Sequence, residues 1–182
     1  MLRKTLFTMI LMLFSFQNNF SQNKDLPQLI TVNRVDLKKY IGLWYEIAKI
    51  PNSFQDHCAY GTTAEYKILQ DEDIQVINKC YEKDGKPDVA EGLAKVVDNK
   101  SNSKLEVSFF SILGIRPFWG DYWIIGLDNN YEWALIGSPN RKYGWILSRT
   151  PSLTDETLQK IFLLLKNQNY NPDDFEMTIH KN

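Results

Sequence analysis

The sequence predicts an all-β fold, an eight-stranded antiparallel up-and-down barrel with one C-terminal α-helix packed outside. Three observations carry this. After Pro27 the chain reads as short extended segments rich in β-branched and aromatic residues. Turn-forming clusters separate them, several tight enough for hairpins. One amphipathic helical stretch follows the last strand.

Before the fold, Arg3 and Lys4 precede an apolar run from Thr5 to Phe16, then polar Gln17, Asn18 and Asn19 and the small Ser21. That is the layout of a secretory signal peptide, expected over residues 1–21, with a single domain over 22–182. The run of about 12 residues falls short of the roughly 20 that span a bilayer as a helix. No cysteine stands near the cleavage site to carry a lipoprotein's diacylglycerol anchor. The expected product is exported, periplasmic or secreted, and mildly acidic once two cations leave.

The strands are expected at Leu43 to Ile50, Ala59 to Leu69, Ile74 to Glu82, Val89 to Val97, Leu105 to Phe110, Tyr122 to Leu127, Tyr131 to Gly137 and Trp145 to Arg149. Pro51-Asn52-Ser53, Asp71-Glu72-Asp73, Asp84-Gly85-Lys86-Pro87, Asp98 to Ser103, Gly114 to Gly120, Asp128-Asn129-Asn130 and Ser138-Pro139-Asn140 break them. Thr154-Asp155-Glu156 caps a helix whose Leu158, Ile161, Phe162 and Leu165 share one face. Pro172 lies past its end, and Phe175 to Ile179 reads as a short closing strand.

Eight hairpin-connected strands close into a barrel that is either filled by side chains or holds one small ligand. Side-chain parity favours a ligand. The inward set is Ala64, Tyr66 and Ile68 on the second strand, Val76, Asn78 and Cys80 on the third, and Gly92, Ala94 and Val96 on the fourth. Small residues and an amide facing inward leave room.

Composition removes other classes. With 21 Lys+Arg against 22 Asp+Glu and a formal charge of -1, there is no basic footprint for nucleic acid. No His pair at ligand spacing and no CxxC occurs, so neither a metal nor any other cofactor is expected. His57 and His180, the only histidines, lack a carboxylate at useful sequence spacing and read as surface groups; no catalytic residue is assigned. Glu46 shares parity with Trp44 and reads as a hydrogen-bonded barrel residue. Cys58 and Cys80 form an even pair in an exported chain, where a disulfide is the default. The alternatives are two unpaired thiols, or a Cys58 nucleophile activated by His57. Hairpin register does not set Cys58 opposite Cys80, so a bridge requires the chain to bend before Ala59.

Gly42-Leu43-Trp44-Tyr45-Glu46 places a Gly-x-Trp at the start of the first strand. With Asn78, Lys104 to Phe110, Pro117-Phe118-Trp119-Gly120, and Trp145-Ile146-Leu147-Ser148-Arg149-Thr150-Pro151 ahead of a helix, it resembles the lipocalins. The branch is that of the bacterial outer-membrane lipocalins, apolipoprotein D and the plant temperature-induced lipocalins. The likeness runs from about Val35 to Phe175. It implies a barrel closed at one end and open to hydrophobic ligands at the other. Gly42, Trp44, Asp128 and Arg149 match structural positions, with the Arg149 guanidinium capping the Trp44 indole. Leu127 and Asn129 depart from the Thr and Tyr that usually flank Asp128 in the family's generic motif. Trp145 matches a pocket-facing tryptophan, and its parity with Leu147 and Arg149 agrees. Tyr66, Asn78, Phe109 and Trp133 are further ligand-binding candidates. Phe54 falls in a flap over the open end, where Cys58 and Cys80 also fall.

The implied partner is a small amphiphile such as a fatty acid or lysophospholipid, carried or stored in envelope maintenance or stress. Peripheral contact with the outer membrane and a monomer or weak dimer are expected with it. The rival readings are a carrier of another hydrophobic ligand (haem, pigment or steroid), a lipocalin-type enzyme, and an interaction protein acting through its loops.

Overall fold

The computed structural model describes residues 26–70 and 73–181. The expected signal peptide lies outside them. A four-residue helix α1 (Leu37–Tyr40) leads into β1 (Gly42–Lys49), followed by β2 (Tyr60–Ile68), β3 (Ile74–Tyr81), β4 (Pro87–Val96) and β5 (Lys104–Ser108). Then come β6 (Gly120–Leu127), β7 (Trp133–Gly137), β8 (Gly144–Ser148), helix α2 (Asp155–Asn167), a 3-10 turn (Pro172–Asp174) and β9 (Glu176–Met177). Each strand from β1 to β8 pairs antiparallel with the next, and β8 returns to β1. The barrel is closed, with β9 added at the upper end of β1.

Departures from the expected boundaries have local causes. β4 begins at Pro87, tolerated as a first strand residue because its missing N–H breaks no later rung. β7 starts at Trp133 instead of Tyr131, since Tyr131 sits at φ 62 in the turn after Asp128. β9 is shorter than expected because Phe175 leaves the edge to pack with Tyr170, ring centroids 6.1 Å apart. Helix α1 went unpredicted: Asp36 caps it, accepting from the Lys38 N–H at 3.0 Å, but four residues show no periodicity.

Two cores divide the barrel wall. Trp44, Tyr66, Val76, Ala94, Leu105, Tyr122, Ile124, Ala134, Ile136 and Leu147 face inward and fill the closed half with Val35 and Tyr40 beneath them. On the outer face Ile47, Ala48, Ile125, Trp133, Leu135 and Ile146 share a core with Ile161 and Leu165 of α2. Bulges between Glu46 and Ala48 and between Ile124 and Gly126 turn neighbouring residues to one face, so that Ile47 and Ala48 both join the outer core and Gly126 follows Ile125 there, against Trp133, Leu135 and Leu164. Helix α2 starts at Thr154, whose hydroxyl accepts from the Thr157 N–H at 3.2 Å, with Asp155 and Glu156 in its first turn. Burying Ile161 and Leu165 stabilises its docking by about 1.5–3 kcal/mol each.

The closed end is tied by Arg149. Its guanidinium lies 3.7 Å over the Trp44 ring and donates to the carbonyls of Leu43 (2.6 Å), Lys39 (2.8 Å), Ile41 (3.0 Å) and Tyr40 (3.1 Å). These include the unpaired carbonyls at the end of α1. Gly42, at φ 98, lets the chain leave α1 for β1 beneath that guanidinium; a Cβ there would lie 3.5 Å from it. Asp128 shapes the β6–β7 turn, its carboxylate accepting from the Asn130 N–H at 2.8 Å.

Candidate functional site

Above the filled half, the inner faces of the strands and the loops at the open end enclose a cup of about 690 Å³. Its wall is mainly apolar. Ala64, Val76, Ala90, Val107 and Leu147 line it together with Asn78, Thr62 and Ser108. Small side chains on β2, β3 and β4 leave this space, in agreement with the parity of those strands.

The floor is a tyrosine cluster drawn from three separate elements. Tyr40 of α1 and Tyr66 of β2 each pair with the Tyr122 hydroxyl of β6, at 2.7 and 2.9 Å. Tyr66 and Tyr122 border the cup, while Tyr40 lies below it. Burial pushes the Tyr66 hydroxyl up to about 12 and those of Tyr40 and Tyr122 well above the ordinary tyrosine value, so all three are neutral.

One side wall is a polar relay. Glu46 is buried and accepts from Thr178 Oγ1 at 2.7 Å, Gln55 Nε2 at 2.8 Å and Lys49 Nζ at 3.4 Å. Gln55 in turn accepts from the Trp145 indole N–H at 3.0 Å. Trp145 is fixed further by Tyr143, stacked at 6.1 Å, and by Phe54 at 6.4 Å from the loop after β1.

The rim combines charge with exposed aromatic surface. His57 Nε2 lies 3.0 Å from Asp88 Oδ2, and this hydrogen bond raises the imidazole above its ordinary value. Asp121 and Asn140 also reach the mouth. In the β5–β6 connection Phe110, Ile112, Leu113, Ile115 and Phe118 are exposed, Leu113 at 97%.

Of the sequence-derived candidates, Trp145, Tyr66, Asn78 and Phe109 come together around the cup. Phe109 packs on Gly92, where a Cβ would meet its ring at 2.7 Å. Trp133 does not join them. It pairs with Ser148, out of phase with Trp145 and Leu147, and turns to the outer core under α2. Phe54, Phe118 and Trp119 line the mouth. The disulfide between Cys58 and Cys80 is formed, with a Cα–Cα distance of 5.6 Å. The bend it requires before Ala59 is the turn over Gln55–Cys58, where the Cys58 N–H donates to the Gln55 carbonyl at 3.1 Å. Sequence spacing hides the His57–Asp88 pair, because a loop and a strand start bring the two together. Glu46 is, as parity suggested, an inward hydrogen-bonded residue. Among the described residues, His57, Cys58 and Cys80 lie within metal-ligand distance of one another, but both sulfurs are spent on the disulfide and offer no thiolate.

A family model described as a lipocalin-like domain matches residues 35–180. The chain is a lipocalin. It is 38% identical over 151 residues to the outer membrane lipoprotein Blc of Escherichia coli K12, covering 82% of each chain. It is 39% identical over 137 residues to temperature-induced lipocalin-1 of Arabidopsis thaliana, covering 74% of this chain and 73% of that one. Apolipoprotein D of Rattus norvegicus is 39% identical over 139 residues, with 71% and 69% covered. Among solved structures, insecticyanin of Manduca sexta superposes on this lipocalin with a TM-score of 0.69 at 23% identity, covering 85% of this chain and 86% of that one. The cockroach allergen Per a 4 gives 0.65 at 21%, covering 86% and 96%. At such identities these two speak for the fold alone. Lipocalins bind small hydrophobic ligands, and the cup is the candidate site for one here.

Proposed function

We propose that this lipocalin carries or stores a single-chain amphiphile, a fatty acid or lysophospholipid, with its acyl chain in the cup and its head at the rim. The supporting observation is the pairing of an apolar-walled cup of about 690 Å³ with a mouth bearing His57, Asp88, Asp121 and Asn140. Burying about 14 methylenes at roughly 0.8 kcal/mol each supplies about 11 kcal/mol before association costs, enough for micromolar binding or better. No catalysis is needed. The one buried carboxylate on the wall, Glu46, is held by three donors, which suits a structural group better than a proton-transfer base.

The Cys58–Cys80 bridge fits an oxidising compartment. An exported protein of the periplasm or the medium, serving envelope maintenance or stress, is the setting proposed. The exposed apolar loop at the mouth favours peripheral contact with the outer membrane during loading. Native mass spectrometry of the gently purified protein, followed by identification of released lipid, tests the reading. One or a few acyl species, lost on Trp145→Ala, are expected. A clean apo mass, unchanged after incubation with fatty acids and lysophospholipids, overturns it.

A further inference from the structure

The tyrosine floor has a proton count that does not close. Three hydroxyls carry three protons, and the two hydrogen bonds among them consume two. Tyr122 stands in the middle with one proton, so it donates in one direction at most. The third proton therefore rests on Tyr40, on Tyr66 or on Tyr122, according to how the chain of hydroxyls is polarised.

Tyr40 is the costly place for it. Its hydroxyl has no hydrogen-bond partner besides Tyr122 among the described residues, and its side chain is buried below the cup. A spare proton there is a buried orphan donor. Tyr66 and Tyr122, unlike Tyr40, border the cavity, so a spare proton on either lies on the cup side of the network. The network is thus polarised toward the ligand, and the bottom of an apolar cup presents an O–H donor awaiting an acceptor.

That donor selects a chemistry. A carboxylate or phosphate would need several donors or a cation at the floor to offset its desolvation. The nearby cation, Arg149, already serves five backbone carbonyls and the Trp44 ring. A wholly hydrocarbon tail would leave the donor unmet. A neutral oxygen such as a ketone, ester carbonyl, ether or hydroxyl satisfies it without a buried charge. Building on the amphiphile reading above, we infer that the preferred ligand is an oxygenated amphiphile whose deep, tail end carries a neutral hydrogen-bond acceptor that meets the Tyr66–Tyr122 hydroxyls.

The test uses the mature, delipidated protein and two matched series, the saturated fatty acids from decanoic to stearic and the same acids with a ketone next to the terminal methyl. Affinities come from calorimetry. At the chain length that reaches the floor, the keto acid is expected to bind about tenfold tighter than the plain acid, the scale of one buried hydrogen bond. In the triple variant Tyr40→Phe/Tyr66→Phe/Tyr122→Phe, which leaves no orphaned hydroxyl, that ratio is expected to fall to about one. If plain acids bind and the ketones bind no tighter at any length, the inference is overturned while the amphiphile reading stands. A preference that survives in the triple variant overturns it too. Binding of neither series fells both. Should the triple variant not fold, the infrared carbonyl stretch of the keto acid bound to wild-type protein decides. A shift to lower frequency is expected, and a stretch like that in alkane refutes the contact.

Discussion

Replacing Arg149 by Ala removes a half-buried guanidinium that serves five backbone carbonyls and an indole. The two shortest bonds, to Leu43 at 2.6 Å and Lys39 at 2.8 Å, are charge-assisted. Water reaches this closed end, however, so each is worth about 1 kcal/mol net, not the larger figure of a dry site. Stacking on Trp44 at 3.7 Å adds about 1 kcal/mol. The longer bonds to Tyr40 and Ile41 are shared by the same nitrogen and add little. The expected loss is about 3 kcal/mol, which for a domain of this size lowers Tm by about 6–12 °C. Arg149→Lys should recover less than half, because an ammonium cannot span carbonyls on α1 and β1 while covering the ring. Thermal and urea unfolding followed by circular dichroism measure both. A Lys variant equal to wild type, or an Ala variant within 1 kcal/mol of it, would refute the view that fork geometry, rather than charge alone, holds the closed end.

Gly92→Ala drives a Cβ to within 2.8 Å of the Ser108 carbonyl and 2.7 Å of the Phe109 ring. A loss of about 1–3 kcal/mol and a displaced Phe109 are expected, read from unfolding curves and from ligand on-rates. His57, raised by Asp88, lends stability that is full below its unfolded value near 6.5 and fades as pH climbs through the folded value. Asp88→Asn should lower the imidazole's NMR titration midpoint, and an unchanged midpoint would break the assigned pairing. The tyrosine floor is fully stabilising below about pH 10, where unfolded tyrosines ionise, and its contribution disappears as pH rises through about 12, where Tyr66 titrates. Tyrosinate absorbance of the folded protein should therefore stop short of full amplitude at pH 11, whereas complete ionisation there would contradict the buried cluster.

The strands were readable because alternation is a local property, and so was the inward set on β2, β3 and β4, where one face is apolar and the other charged. β7 offered no such contrast. All five of its residues are buried, since α2 covers the outer face as the cup covers the inner, and parity cannot choose between Trp133 and Ala134. The deciding fact is the register across the Ser138–Tyr143 connection, which pairs Gly137 with Gly144 and depends on turn geometry that composition does not reveal. The tyrosine floor was hidden for a different reason. Tyr40, Tyr66 and Tyr122 come from elements that meet only when the barrel closes. The His57–Asp88 pair likewise spans a loop and the start of β4.

The two cores also separate what holds the protein together from what it holds. Trp44, Arg149, the closed-half residues and α2 maintain the barrel, whereas Ala64, Asn78, Ala90 and Val107 border open space. Changing a residue that faces a void leaves no new vacancy, so ligand preference can drift by substitution at the upper positions with little loss of folding. The same partition makes this barrel suited to redesign, with the upper positions varied as a library and the lower half left alone.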